Sequence, residues 1–303
     1  MQIGFVGLGK MGGNMVTRIH RNSDHSVVAF DFNADAVKAA QQHGAAAASS
    51  LEDLVGQLST PRAVWIMVPS GKATEETIEK LLEMLSDGDL IVDGGNSKWT
   101  DSIAHQAKCA ASGVHFLDVG TSGGVWGLEI GYCMMVGGED ESVAALKPIL
   151  DVLAPPEGWG HMGGPGSGHF VKMVHNGIEY GLMQAYAEGF ALMHKSEYGL
   201  DCEVIAKLWS QGSVIRSWLL ELAAKAFEVD GNDLANLEGW VEDSGEGRWT
   251  LDAGIVHDIP MPTLAAALFA RFSSRGDGDY AARMTAALRN QFGGHAVKTA
   301  PKV

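Results

Sequence analysis

The sequence predicts an α/β doubly wound sheet domain followed by an all-α domain. Three observations predict it. From residue 2 to about residue 153, short apolar strands alternate with helical stretches, the pattern of a parallel sheet covered on both faces. The first strand runs straight into Gly7-Leu8-Gly9-Lys10-Met11-Gly12. Beyond about Gly168, helical spacing dominates to the end. The expected division is residues 1–165 and residues 166–303.

The totals agree. A chain of 303 residues has room for two ordinary domains, and 46% hydrophobic with 19% charged residues is a globular composition. The 39 glycines imply many tight turns and close backbone approaches. A net charge of −15 argues against nucleic acid and anionic membranes as partners. An anionic small substrate then needs a local cluster of Arg, Lys and His. Cys109, Cys133 and Cys202 are odd in number and far apart, with no metal-ligand spacing, as in a reduced cytoplasmic thiol set. The N-terminus lacks a basic region followed by a signal-type apolar stretch, and no run of 18 apolar residues proposes a membrane span.

Residues 2–6 read as a buried strand, residues 14–20 as helix and residues 26–30 as a second strand. Asp31 closes that strand, 19 residues after Gly12. This strand, Gly-x-Gly-x-x-Gly, helix, strand and acid order is the Rossmann-type dinucleotide-binding arrangement. The glycines permit the tight turn, the approach of pyrophosphate and close helix packing, and the helix N-terminus offers N–H groups to phosphates. Asp31 suits the two ribose hydroxyls and repels a 2′-phosphate, which favours NAD, with NADP the weaker cofactor. Asp31 could instead cap a helix over residues 34–42, a role Asn33 can also fill.

Residues 63–68 form an apolar strand ending at Pro69, and residues 72–85 a helix. Residues 89–93 are the next strand, ending in Gly94-Gly95-Asn96-Ser97; residues 98–111 are helical and residues 114–118 a strand. The loops starting at Gly7, Pro69, Gly94 and Gly120 are expected to share one crevice at the carboxyl ends of the strands, with Val68, Pro69 and Asn96 on the cofactor. Gly120-Thr121-Ser122-Gly123-Gly124 reads as a carboxylate-binding turn, or alone as an ordinary one. Residues 130–136 and 140–153 supply a last strand and helix, and residues 155–168 the punctuation between domains.

Residues 168–195 have helical spacing and no proline, enough for a helix about 40 Å long at ~1.5 Å per residue. Helices follow at 201–210, 214–229, 249–256, 262–273 and 277–291, interrupted by the Gly-rich stretch 243–249. Relative to Lys172, a helix puts His175 at roughly −60°, Asn176 at roughly +40° and Glu179 at roughly −20°. An amine, an imidazole, an amide and a carboxylate thus share one stripe. Such stripes are usually solvated, but this one lies in an apolar, Gly-rich surround.

Together these motifs resemble the 6-phosphogluconate dehydrogenase family, within the wider β-hydroxyacid dehydrogenases. The resemblance rests on the glycine loop, Asp93-Gly94-Gly95-Asn96-Ser97, Ser122-Gly123-Gly124 and the run from Lys172 to Tyr180. Gly247-Arg248-Trp249-Thr250, residues 269–274 and Arg289-Asn290-Gln291-Phe292-Gly293-Gly294-His295 complete it. Many members are longer and duplicate the helical domain; this chain resembles a shorter form with one copy. Many also carry an NADP-type Asn-Arg-Thr after the second strand, where this chain has Asp31-Phe32-Asn33.

The resemblance implies oxidative decarboxylation of 6-phosphogluconate to ribulose 5-phosphate, the pentose phosphate pathway reaction, in the cytoplasm and without a metal. It implies Lys172 as the base for the 3-hydroxyl, Glu179 as the acid that protonates the product carbon, and Asn176 on the C3 oxygen. Ser122, Gly123 and Gly124 would receive the carboxylate, His175 the hydroxyls or carboxylate, and Asn96 would lie near the nicotinamide. Tyr180, Arg248, Thr250, Arg271 and Arg289 would hold the phosphate, with Arg289 and His295 reaching a partner's site as in the longer enzymes. Cofactor contacts fall on Gly7, Leu8, Gly9, Lys10, Met11, Gly12 and Asp31. A homodimer or homotetramer through the helical domain is implied. The competing expectation is a β-hydroxyacid dehydrogenase for an unphosphorylated acid, which needs neither Arg248 and Arg271 nor Glu179. A non-catalytic NAD-binding protein would not need an intact Lys172 and Glu179.

Overall fold

The structure, a computed structural model, describes residues 1–276 and 279–293. It divides into two compact units, Met1–His175 and Asn176–Val303.

The first unit contains β1 (Gln2–Val6), α1 (Lys10–Asn22), β2 (Ser26–Phe30), α2 (Ala34–Gln42), β3 (Ala46–Ala47), α3 (Leu51–Gly56), β4 (Ala63–Ile66), α4 (Lys72–Leu82), β5 (Leu90–Asp93) and α5 (Trp99–Ala110). It continues with β6 (His115–Ser122), α6 (Gly127–Ile130), β7 (Cys133–Gly138), α7 (Asp140–Leu153) and β8 (Trp159–Gly163). One eight-stranded sheet results, in the order β3-β2-β1-β4-β5-β6-β7-β8. Pairing is parallel from β3 to β6; β7 runs antiparallel to β6, and β8 parallel to β7.

Both faces of the central strands are buried, which is why they read as unbroken apolar runs. Ile3, Phe5, Trp65 and Val92 join one core cluster. Val6, Val64, Ile66 and Ile91 join the other, one residue out of phase. Phe5 stacks on Trp65 at 5.8 Å between ring centroids. Each such fully buried side chain contributes about 1.5–3 kcal/mol. The chain order reverses between β1 and β4, so the crevice beyond their carboxyl ends is the natural ligand site.

Several sequence expectations change. Gly120-Thr121-Ser122 is strand rather than turn, because the antiparallel partner β7 extends β6 as far as the Ser122–Cys133 pair. The turn is Gly123-Gly124, both at positive φ (129° and 51°). The stretch assigned to punctuation contains β8, whose Gly, His and Met residues are half-buried or exposed and so show no apolar period. Short β3 and α3 also went unseen, and the strand expected over 63–68 stops at Ile66.

Helix α8 (Ser167–Lys195) begins in the first unit and continues into the second. The second unit adds α9 (Cys202–Trp209), α10 (Trp218–Asp230), α11 (Glu246–Val256), α12 (Pro262–Ser274) and α13 (Asp279–Gly293). Phe190, Leu220 and Phe227 centre one small core, and Tyr180, Leu264 and Leu268 another. Asp201 and Ser217 cap α9 and α10 with their side chains, satisfying N–H groups that the helices cannot. Among the described residues no helix is long and apolar enough to cross a membrane.

Candidate active site

The glycine loop between β1 and α1 separates its three glycines by cause. A Cβ on Gly7 would lie 2.4 Å from the Met67 carbonyl oxygen, and Gly7 has φ +92°. One on Gly12 would lie 2.1 Å from the Gly7 carbonyl oxygen. These two are required by packing. A Cβ on Gly9 would meet nothing within 4 Å, so packing within the chain does not demand glycine there, and the space above it is open to a ligand. Gly9 is also the N-cap of α1, without a side-chain cap. The first-turn N–H groups of a helix make an anion site.

Asp31 reaches back to this loop. Its Oδ2 accepts from the Leu8 N–H at 2.6 Å and its Oδ1 from the Asn33 N–H at 2.7 Å. Asn33 is the cap of α2, its side chain accepting from the Asp35 N–H at 3.0 Å. Of the two readings left open for Asp31, the helix cap therefore falls to Asn33. Gly7, Gly9, Lys10, Met11, Gly12 and Asp31 border a cleft of about 470 Å³. Val68, Pro69 and Asn96 close its other side. Leu8, also expected on the cofactor, is buried in the core with its N–H taken by Asp31, and it does not border this cleft. The open space over Gly9, the helix end and the carboxylate at the tip of β2 all suit a dinucleotide. Gly120 is not on this cleft; it lies within β6.

Gly120 serves α8 instead. A Cβ there would sit 2.3 Å from Lys172 Cβ, and one on Gly168 would sit 2.5 Å from the Asp118 and Met135 carbonyl oxygens. Glycines on both elements thus let the first turns of α8 press against β6 and β7. Buried Asp118 fixes the helix end: Oδ1 accepts from Gly166 N–H at 2.7 Å and Oδ2 from His169 N–H at 2.8 Å. A carboxylate at a helix N-terminus is favoured by hydrogen bonding and by the dipole. His169, also buried, places Nε2 3.1 Å from the Gly95 carbonyl oxygen and Nδ1 2.7 Å from Ser102 Oγ. A carbonyl only accepts, so Nε2 carries the hydrogen. His169 thereby ties α8 to the Gly94–Ser97 loop.

Lys172 is buried against β6 (8% exposed), and His175 Nε2 lies 3.4 Å from Ser122 Oγ. Lys172, His175 and the Ser122–Gly124 segment therefore belong to the first unit. A Cβ on Gly124 would meet nothing within 4 Å. Helix α8 then carries Asn176, Glu179 and Tyr180 into the second unit without a break.

In the second unit, Asn176 Nδ2 donates to Glu246 Oε1 at 3.0 Å, and Glu246 is 1% exposed. Ser244 Oγ donates to Glu246 Oε2. The Tyr180 hydroxyl accepts from Ser244 N–H at 3.2 Å. The Arg271 guanidinium stacks on the Tyr180 ring at 3.4 Å, and its Nη1 donates to the Glu242 carbonyl at 2.9 Å. Arg248 grips Asp243 with Nε and Nη2, at 2.8 and 3.0 Å, while lying over the Phe272 ring. Arg275 adds a third contact to Asp243 at 3.2 Å. The Arg248 hydrogen bond first, then Arg275, hold the Asp243 carboxyl below the usual carboxylate range. Thr250 is buried, donating to the Glu246 carbonyl at 2.7 Å; a Cβ on Gly177 would come within 2.8 Å of its methyl.

Arg289 is exposed on α13, and His295 lies outside the described residues. Sequence reasoning did not single out Asp118, His169, Asp243, Ser244 or Glu246. Asp243, Ser244 and Glu246 sat in a stretch read only as a Gly-rich break. Asp118 and His169 carried no spacing signal, because their partners are 51 residues apart along the chain.

Residues 2–177 match the NAD binding domain of 6-phosphogluconate dehydrogenase, and residues 168–302 match the C-terminal domain of that enzyme. A Haloferax volcanii protein described as an NAD(+)-dependent, decarboxylating 6-phosphogluconate dehydrogenase is 45% identical over 298 residues, 98% of each chain. The solved 6-phosphogluconate dehydrogenase of Plasmodium falciparum is 27% identical with a TM-score of 0.82, covering 100% of this chain and 67% of that one. A Mycobacterium tuberculosis 3-hydroxyisobutyrate dehydrogenase, 23% identical with a TM-score of 0.72 over 92% of this chain and 94% of its own, shares the fold.

Proposed function

This chain belongs to the 6-phosphogluconate dehydrogenase family, and from that premise we propose that it oxidises and decarboxylates 6-phosphogluconate to ribulose 5-phosphate and CO2 with NAD. The observation that carries the reading is α8. Lys172, Asn176 and Glu179 lie on one stripe of a helix that crosses unbroken from the first unit to the second. A dehydrogenase for an unphosphorylated acid has no use for that carboxyl, nor for the arginines at 248 and 271.

NAD would be held by the glycine loop through the first-turn N–H groups of α1, with Asp31 on the adenosine ribose and Val68, Pro69 and Asn96 toward the nicotinamide. Bound there, NAD would supply the acceptor for the hydride that leaves C3. Lys172, starting as a neutral amine, takes the 3-hydroxyl proton. As its ammonium form it then donates to the keto oxygen while CO2 departs, stabilising the charge that gathers there. Glu179 gives a proton to the carbon that has lost CO2, which becomes C1 of the product, as the enol proton returns to the Lys172 amine. Asn176 holds the C3 oxygen, and Ser122, Gly123, Gly124 and His175 the carboxylate end. Tyr180, Arg248, Thr250 and Arg271 take the phosphate, the local positive cluster that a chain of net charge −15 needs for an anionic substrate.

The same reading gives residues 1–165 the cofactor, and residues 166–303 the substrate and a dimer or tetramer interface. Exposed Ile178, Leu192, Ile255 and Phe269 on that second part support an interface there. Arg289 and His295 would serve a partner's site, NADP would be the weaker cofactor, and the three unpaired cysteines suit a reducing cytoplasm. Purified protein with 6-phosphogluconate and NAD should release NADH and CO2 in equal amounts. NADH without CO2, or turnover only with unphosphorylated acids, overturns the reading.

A further inference from the structure

We propose that Glu246 is a positioning residue for the reaction, acting through the Asn176 amide. The inference rests on the 6-phosphogluconate reading and adds a residue to it. Glu246 is 1% exposed, in the first turn of α11, directly after Gly245 at φ +103°. A buried carboxylate is costly unless hydrogen bonds replace its water. Here Asn176 Nδ2 supplies Oε1 and the Ser244 hydroxyl supplies Oε2.

The chemistry of these partners sets their direction. A side-chain amide has two ends of nearly equal shape, one donating and one accepting. An ionised carboxylate only accepts, so the end of Asn176 facing Glu246 is the NH2 group. The Asn176 carbonyl oxygen is thereby turned the other way, and the amide cannot flip without setting two acceptors against each other. The Ser244 proton is also committed to Glu246, which leaves its oxygen to accept from the Tyr180 hydroxyl, 3.5 Å away. A directed chain results: Tyr180 to Ser244 to Glu246, with Asn176 entering from the other side. It links the residue assigned to the C3 oxygen with one assigned to the phosphate. Seating the phosphate on Tyr180 thus bears on how firmly the amide is held at the reacting carbon.

The test is a double-mutant cycle on kcat with 6-phosphogluconate and NAD: wild type, Glu246→Gln, Asn176→Ala and the pair. Gln keeps the shape but can present either end to Asn176. Glu246→Gln should lower kcat about tenfold, a coupling within the usual range for touching groups, with KM for NAD unchanged. In the Asn176→Ala background the same change should cost less than about twofold. A purely structural role would instead cost the same in both backgrounds. Ser244→Ala, a milder change at an exposed residue, repeats the cycle should Glu246→Gln not fold: it should lower kcat only where Asn176 is present. Additive losses, or a folded Glu246→Gln enzyme within twofold of wild type, overturn the inference alone. Wild-type protein that releases no NADH from 6-phosphogluconate overturns the underlying reading and the inference with it.

Discussion

The cleft at the glycine loop and the arginine cluster of the second unit, the two places we propose for anionic groups, hold their donors by opposite means. Around the loop, backbone does the work: Gly7 and Gly12 are forced by contacts with main-chain oxygens, and the first turn of α1 presents N–H groups. In the second unit, side chains do it. Asp243 holds Arg248 and Arg275, the Tyr180 ring carries Arg271, and Glu246 holds Asn176 and Ser244. A backbone site tolerates many side chains but almost no change of glycine. A side-chain site tolerates backbone variation but depends on each charged partner. Lys172, which we propose as the base, combines both: a side chain whose place is set by the glycine at 120.

Breaking that combination should have the largest effect. Lys172→Ala should lower kcat by about 10²–10⁴-fold, the usual range for losing a general acid–base group. NAD binding, followed by fluorescence titration, should survive. Turnover near the wild-type rate would remove Lys172 as the base. The glycine pair comes next, because it sharpens the difference between packing and ligand demands. Gly12→Ala should destabilise the first unit by about 1–3 kcal/mol, as overpacking does, and lower its melting temperature. Gly9→Ala should leave melting in place and raise KM for NAD about tenfold, roughly 1.4 kcal/mol. Equal melting losses in both variants would mean that Gly9, too, is held by packing.

Legibility in the sequence followed the same division. The glycine spacing, the acid at residue 31 and the alternation of strands are local patterns, and they located the sheet and its cleft. Helix α8 was legible because its period of about 3.6 runs unbroken for eight turns. Strand β8 was not, since an edge strand of one Trp followed by Gly, His, Met and Gly has neither apolar period nor branched residues. The extension of β6 through Gly120 depends on pairing with β7, which no window of sequence contains. The supports of the site were least legible. Glu246 meets Asn176 across 70 residues and Asp118 meets His169 across 51, so only folding brings them together.

Asp31 tests how far a side chain can share in a backbone site. Its two oxygens already hold the Leu8 and Asn33 N–H groups, so the carboxylate is fixed before any ribose arrives. Asp31→Ser should narrow the preference for NAD over NADP about tenfold, measured as the ratio of kcat/KM values, roughly 1.4 kcal/mol. An unchanged ratio would put cofactor choice elsewhere.

The smallest expected effect is that of Asp243, and its sign follows from its arginines. They lower the folded-state pKa of its carboxyl below the unfolded value, which is about 3.9. The ion pair therefore contributes stability that is fully present above about pH 5 and lost as pH falls through the folded value. Arg248 is half exposed, so solvent screening keeps the contribution to about 1 kcal/mol or less. Asp243→Asn should remove it, leaving the variant slightly less stable at pH 7 and flatter in its acid limb. Urea unfolding of the second unit, followed by tryptophan fluorescence from pH 3 to pH 7, reads both. Curves that stay parallel down to pH 3 would show that the arginines hold their places without Asp243. The anion site we propose for the second unit would then be backbone-supported like the first, through the Glu242 carbonyl that Arg271 already uses.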